Sequence, residues 1–174
     1  YNNLSMNLNL DFDVVLKLVD KSWNWVSLSE HPNITMTMIL DHPDLPWDMK
    51  SISKNPNITM EMIDLYSEDD WDWIEISKNR GITMDVIKKH PNKPWVWAAV
   101  SKNRSIEIEM VDIFLDVNWD WLSLSFNPSI TEVDILKYPE MPWDFFGIGR
   151  NPSMSLDMVQ KFPDGDWNWN DISG

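Results

Sequence analysis

Large apolar residues return along this chain at one fixed interval. Tryptophan stands at Trp23, Trp47, Trp71, Trp95, Trp119, Trp143 and Trp167, each 24 residues from the next, with no insertion or deletion. With that residue as position 1 of a unit, position 3 is aromatic or Met (Trp25, Met49, Trp73, Trp97, Trp121, Phe145, Trp169). Position 6 is aliphatic from Leu28 to Ile172, and position 7 is Ser in every copy except Gly149. Position 9 is Asn55, Asn79, Asn103, Asn127 or Asn151, with His31 in the first copy. Ile34, Ile58, Ile82, Ile106, Ile130 and Met154 occupy position 12, and Thr35, Thr59, Thr83, Glu107, Thr131 and Ser155 follow them. A unit this short cannot bury its own apolar face, so neighbouring copies must stack and share a core.

The polar residues predict two helices per unit. An acidic or amide residue at position 22 (Asp20, Asp44, Glu68, Asn92, Asp116, Glu140, Asp164) reads as an N-cap. Pro46, Pro94 and Pro142 would then lie in the first turn, where proline is tolerated. Asp48, Asp72, Asp120 and Asp144 add negative charge that the helix dipole favours, and this helix is expected to end near the position-9 Asn. For the second helix, Thr at position 13 is the N-cap. The aliphatic residues before it and at position 17 (Ile39, Ile63, Ile87, Val111, Ile135, Val159) form a hydrophobic staple. Pro43, Pro91, Pro139 and Pro163 close it. Helices of about 8–10 residues are expected, too short to persist alone in water.

The expected fold class is therefore all-α: an α-solenoid of stacked two-helix hairpins with a 24-residue repeat, on the order of 65 Å long at the usual spacing of packed helices. One continuous array is expected over residues 1–174. It comprises a divergent partial copy at 1–22, full copies at 23–46, 47–70, 71–94, 95–118, 119–142 and 143–166, and a partial copy at 167–174. Leu4-Ser5-Met6-Asn7 places residues 1–22 in register, with Leu10 on the Ile position and Asp11 on the Thr position. The chain starts and stops inside copies, as a window onto a longer array or a trimmed product would.

Composition narrows the classes. With 14 basic and 28 acidic residues the net charge is −14, which argues against a general nucleic-acid binder. A hydrophobic content of 43% argues against a disordered acidic tail. No apolar run is long enough to span a bilayer, so membrane insertion is not expected. The absence of cysteine excludes disulfides and thiolate metal sites and fits a reducing compartment.

Candidate chemistry is sparse. All twelve tryptophans fall at positions 1 or 3. An aromatic ladder for bases or sugars is one reading. The favoured one makes Trp23, Trp47, Trp71, Trp95, Trp119, Trp143 and Trp167 the inter-repeat core, each indole N–H seeking an Asp of the adjacent unit or a backbone carbonyl. Position 8 carries Lys54, Lys78, Lys102 and Arg150, and position 10 carries Arg80 and Arg104, a basic ridge along the hairpin turn and a candidate partner-binding edge. His42 and His90 share position 20 with aromatic residues, so they read as edge-of-core residues. No Ser-His-Asp order is singled out, and Gly147-Ile148-Gly149 lacks a phosphate-loop Lys. The cluster Glu68, Asp69, Asp70 and Asp72 lacks the spacing of a calcium loop and reads as helix capping. Asn33 and Asn57 open formal glycosylation acceptors, although turn and cap require the same residues. No catalytic, cofactor-binding or metal-ligating set is legible.

The stretches Trp47–Thr59, Trp71–Thr83 and Trp119–Thr131 resemble the tandem N-P-N-I-T-type repeats in proteins of mimivirus-like giant DNA viruses that infect amoebae. The likeness runs along essentially the whole chain. It implies a viral origin, an interaction role, and residence in the host cytoplasm or the virion, with no catalytic residues to carry over. Arg80, Arg104 and Glu107 depart from the pattern and mark the third and fourth copies as a specialised surface. The expected role is a non-enzymatic scaffold for a host or viral protein partner. The alternative is a structural component of a particle or filament that self-associates through its layers.

Overall fold

The computed structural model describes residues 3–66 and 70–168. Within them the chain is all-helical, with thirteen short α-helices and no strand. It divides into two compact units, Tyr1–Ile82 and Thr83–Gly174. The first contains a 3-10 turn at Leu4–Met6 and then α1 (Phe12–Lys17), α2 (Trp25–Ser29), α3 (Met36–Asp41), α4 (Met49–Ile52), α5 (Met60–Leu65) and α6 (Trp73–Lys78). The second contains α7 (Met84–Lys89), α8 (Trp97–Val100), α9 (Met110–Ile113), α10 (Trp121–Phe126), α11 (Glu132–Lys137), α12 (Phe145–Arg150) and α13 (Asp157–Lys161).

The first helix of each repeat starts later than expected. Its N-cap is position 2, not position 22: the side chains of Asn24, Asp48, Asp72, Asp120 and Asp144 accept backbone N–H groups in the first turns of α2, α4, α6, α10 and α12. Asp20, Asp44, Asn92, Asp116, Glu140 and Asp164 precede these helices in turns and irregular backbone; Glu68 lies outside the described residues. The reason is the tryptophan. Its backbone N–H reaches back two residues, as from Trp47 to Leu45 (2.7 Å), Trp95 to Lys93 and Trp143 to Met141. That is a γ-type turn, and Pro46, Pro94 and Pro142 sit at its centre, where the ring-fixed φ suits it. The prolines thus bend the approach to the helix and are not part of it. Helices of four to six residues result, shorter than the sequence pattern suggests.

The second helix follows its Thr. Thr35 and Thr59 accept from the N–H groups of Met38 and Met62, and α3 and α5 begin at position 14. α7 and α11 begin there too, although Thr83 makes no side-chain cap bond and the Thr131 hydroxyl donates to Asp134 (2.7 Å). With Glu107 in place of Thr, α9 begins only at Met110 and has four residues. Ser155 gives its hydroxyl to Glu132 instead (2.7 Å), and α13 begins at Asp157. In the first copy Asp11 caps α1. Each second helix closes on position 20, including Phe114, which no proline follows. The stop therefore has a second cause. All seven position-1 indoles donate to the carbonyl five residues earlier, from Trp23 to Leu18 (2.8 Å) through Trp119 to Phe114 (3.0 Å) to Trp167 to Phe162 (2.8 Å). Each satisfies a helix-end carbonyl that has no partner within its own helix.

Copies are joined by hydrogen bonds with a fixed register. The Asn55 amide donates to the carbonyls of Ser29, His31 and Ile34, and Asn151 repeats this with Ser125, Asn127 and Ile130. Asn79 and Asn127 do the same with two carbonyls each. Their side-chain oxygens accept the N–H two residues on, fixing the turn. His31 substitutes faithfully. Its Nε2 meets the Asn7 carbonyl and its Nδ1 accepts from Asn33, so the ring is the Nε2–H tautomer. Position 7 is a relay. Ser53, Ser101 and Ser125 donate to the carbonyl four residues back, while the same type of hydroxyl accepts the N–H of the next copy's N-cap, as Ser29 does from Asp48 (2.9 Å) and Ser125 from Asp144 (2.9 Å). Position 11 adds a link one residue away: Asn57 to Pro32, Ser129 to Arg104, Ser153 to Pro128. At Gly81 an added Cβ would lie 2.7 Å from the Pro56 carbonyl, so glycine lets the two turns meet directly.

The apolar core follows the same register. α2 packs on α4 in the first unit, and α10 on α12 in the second. Leu28, Ile52, Ile76, Val100, Leu124 and Ile148 at position 6 are fully buried, each worth about 1.5–3 kcal/mol of transfer free energy. Position-1 tryptophans are buried, or half-buried at Trp47 and Trp119. The ring at position 3 meets the next tryptophan edge-on: Trp25–Trp47 at 5.2 Å, Trp97–Trp119 at 4.9 Å, Trp121–Trp143 at 5.1 Å. The indoles are thus core and cap together. The acceptor is always a carbonyl, never an Asp. No described residue takes a positive φ, so turns of this kind need few glycines.

Candidate interaction clefts

Because the turn after each first helix leans on the one before it, equivalent surface clefts open between consecutive copies. One is lined by Met6, Leu8, Ser27, Glu30, His31, Pro32 and Lys54. A second is lined by Lys54, Pro56, Glu75, Lys78, Asn79 and Arg80. In the second unit a third is lined by Lys102, Arg104, Leu122, Ser123, Phe126, Asn127 and Pro128. Each uses positions 8 and 10 of one copy and positions 5, 8, 9 and 10 of the next. The buried His or Asn of the ladder is common to all three, and the rest of the lining is whatever each copy places at positions 5, 8 and 10, with position 4 added in the third.

The expected basic residues line these clefts, with differing electrostatics. In the first unit Lys54, Lys78 and Arg80 come together, but Lys78 is paired with Glu75 (2.8 Å) and Lys54 with Glu30 (3.6 Å). In the second unit Lys102 and Arg104 are exposed on the rim, and neither has an ion-pair partner among the described residues. Arg150 lies over the Phe146 ring, 4.4 Å from its centroid. Surface ion pairs such as Lys78–Glu75 are worth little in stability, yet each cancels one positive charge that a ligand would meet.

The floor of the third cleft was not singled out from the sequence. Leu122 is 48% exposed, and Phe126 is half-buried with its ring 5.9 Å from that of Phe146, itself 38% exposed. A signal existed: position 8 is otherwise Met6 or a charged residue, and Phe126 is its one aromatic among the described copies. Another cleft in the second unit, lined by Lys89, His90, Pro91, Asn92 and Lys93, also lay outside that reading.

Other candidates resolve into structure. Asp72 caps α6, accepting from Ile74 and Glu75, and Asp70 pairs with Lys50 (2.7 Å), raising the Lys50 pKa; Glu68 and Asp69 lie outside the described residues. His42 packs edge-on against Phe12 at 5.6 Å. The Asn33 amide donates to the Leu8 and Leu10 carbonyls, and that of Asn57 to Pro32 and Ile34, so both glycosylation acceptors are engaged in the turn. Among the described residues no group of three His, Asp or Glu could hold a metal ion, and no helix is long and apolar enough to cross a membrane.

The second helices carry their own links. Lys137 pairs with Glu109 (2.9 Å), which holds the Glu109 carboxyl below its ordinary range and the ammonium above its own. Lys161 and the Ser155 hydroxyl do the same to Glu132. The Tyr138 hydroxyl donates to the Asp112 carboxylate, which raises its pKa. No family model, no curated protein and no solved structure matches this chain.

Proposed function

We propose that the chain is an α-solenoid of stacked two-helix hairpins with a 24-residue repeat, and that it is a non-enzymatic scaffold for a host or viral protein partner. One observation carries the reading. Most of the polar positions that recur in the repeat are spent on the repeat itself: Asp at position 2 and Thr at 13 on caps, Ser at 7 and Asn at 9 on inter-copy bonds, the indole on helix ends. What varies from copy to copy is exposed or half-exposed, at positions 4, 8 and 10. A scaffold with a fixed frame and a variable surface is how repeat arrays recognise partners. The resemblance to giant-virus repeats supports a viral source, hence host cytoplasm or virion.

The test is affinity capture from the native source. The parent chain should retain a protein that a Lys78→Glu, Arg80→Glu, Lys102→Glu, Arg104→Glu variant loses while its circular dichroism stays unchanged. Identical captures would remove the basic residues from the reading. Assembly into a particle or filament is favoured by one feature, the exposure of Leu4, Met6 and Leu8 beside the first cleft. Light scattering separates the two, because a concentration-independent monomer supports the scaffold and growth with concentration supports assembly.

A further inference from the structure

We infer that the cleft of the second unit, floored by Leu122 and Phe126 and rimmed by Lys102 and Arg104, docks an acidic peptide segment that also carries an aromatic or aliphatic side chain. The inference rests on the scaffold reading and assigns a partner chemistry to one site. Three equivalent clefts have been described, and only this one combines an apolar floor with cations that no carboxylate neutralises. Its counterpart in the first unit holds Glu75 where this one has Ser123, and that glutamate binds Lys78. The cleft beside His31 has an apolar rim of Met6 and Leu8, but Glu30 faces Lys54 within it. In a chain of net charge −14, two cations with no ion-pair partner stand beside an exposed Leu, the Asp120 carboxylate being held by the Ser123 hydroxyl (2.6 Å). Such cations attract carboxylates. The apolar floor continues through the Phe126–Phe146 contact, where Arg150 covers the second ring, so an aromatic from a partner would find ring faces and cations together.

The experiment uses the full chain and dye-labelled synthetic peptides, read by fluorescence anisotropy. One peptide alternates Glu with Phe and Leu; a second replaces Glu by Lys; a third keeps Glu and replaces Phe and Leu by Ser. The inference expects binding of the first only, weakened by salt. Lys102→Glu with Arg104→Glu should weaken it about tenfold or more, and Leu122→Ser about fivefold, in keeping with a rim that steers and a floor that holds. Lys17→Glu with Lys21→Glu, outside all of the clefts, should leave it unchanged. Circular dichroism checks each fold, and Lys102→Gln with Arg104→Gln replaces the reversal if that variant unfolds. Equal binding of the Lys or Ser peptide, or an unaffected rim variant, overturns the inference. So does parent self-association that the rim variant abolishes, which would make a second copy the occupant. If no peptide binds while source capture still depends on these cations, the acidic-segment inference falls and the scaffold reading stands.

Discussion

Replacing Asn55 by aspartate isolates the amide that links two copies, because the side chain keeps its shape and loses only its donor. Asn55 is fully buried, and its Nδ2 lies 2.9 Å from the Ser29 carbonyl, 3.1 Å from His31 and 3.0 Å from Ile34. Its Oδ1, which accepts from Asn57 at 2.9 Å, survives the change. The His31 carbonyl keeps the Ile34 N–H, and the Ile34 carbonyl keeps the Asn57 amide. The Ser29 carbonyl keeps no donor of this kind. The variant thus loses two net hydrogen bonds at about 0.5–1.5 kcal/mol each and orphans one buried carbonyl at about 1–3 kcal/mol. These come to about 2–6 kcal/mol, and the carboxylate placed against carbonyl oxygens at neutral pH adds to that. For a chain of this size that is on the order of 10 °C in Tm. Tryptophan fluorescence during urea and thermal unfolding reads it. The new carboxyl has a raised folded-state pKa, so its penalty is full at neutral pH and shrinks as the pH falls and protonation restores a donor. A midpoint equal to that of the parent, or a deficit unchanged on acidification, would refute the reasoning.

Val96 stands where four copies have Asp and two have Asn, with φ/ψ of −92/96 against −89/92 at Asp120. Val96→Asp should therefore add a cap to α8 and about 0.5–1.5 kcal/mol, seen as a raised urea midpoint. Trp143→Phe keeps an aromatic ring but removes the bond to the Tyr138 carbonyl (2.8 Å), and should cost about 2–3 kcal/mol by the same measurement. Glu109 and Glu132 have depressed carboxyl pKa values, because Lys137 and Lys161 respectively hydrogen-bond to them. The stability they add is present above the ordinary glutamate range and lost as pH falls through their lowered values. Glu109→Gln with Glu132→Gln should flatten the acid limb of a stability–pH profile, and an unchanged limb would remove both pairs from it.

Much of this was legible in the chain, and the exceptions have physical causes. The period, the helical class and the caps at Thr35 and Thr59 come from local chemistry, and α9 starts late where Glu107 replaces Thr. The start of the first helix was misplaced because positions 22 and 2 both carry Asp or Asn, and proline at position 24 fits either a first helical turn or a γ-turn. The tryptophan decides between them, its backbone N–H closing the γ-turn and its indole reaching back to the position-20 carbonyl. The Asn at position 9 read as the end of the first helix; its ladder role depends on carbonyls 21 to 26 residues away, which no local pattern reports. For the clefts, the sequence located Lys102 and Arg104. Pairing of Lys54 and Lys78 needed side-chain geometry, and the value of Phe126 needed its neighbours Leu122 and Phe146.

The account stands on copies that stabilise one another through shared indole packing and the Asn ladder. Its most direct test is the urea midpoint of chains shortened stepwise by whole 24-residue copies. Nearest-neighbour stacking predicts a midpoint that climbs with each added copy and levels off as the array lengthens. Midpoints independent of copy number, down to a single hairpin, would contradict it.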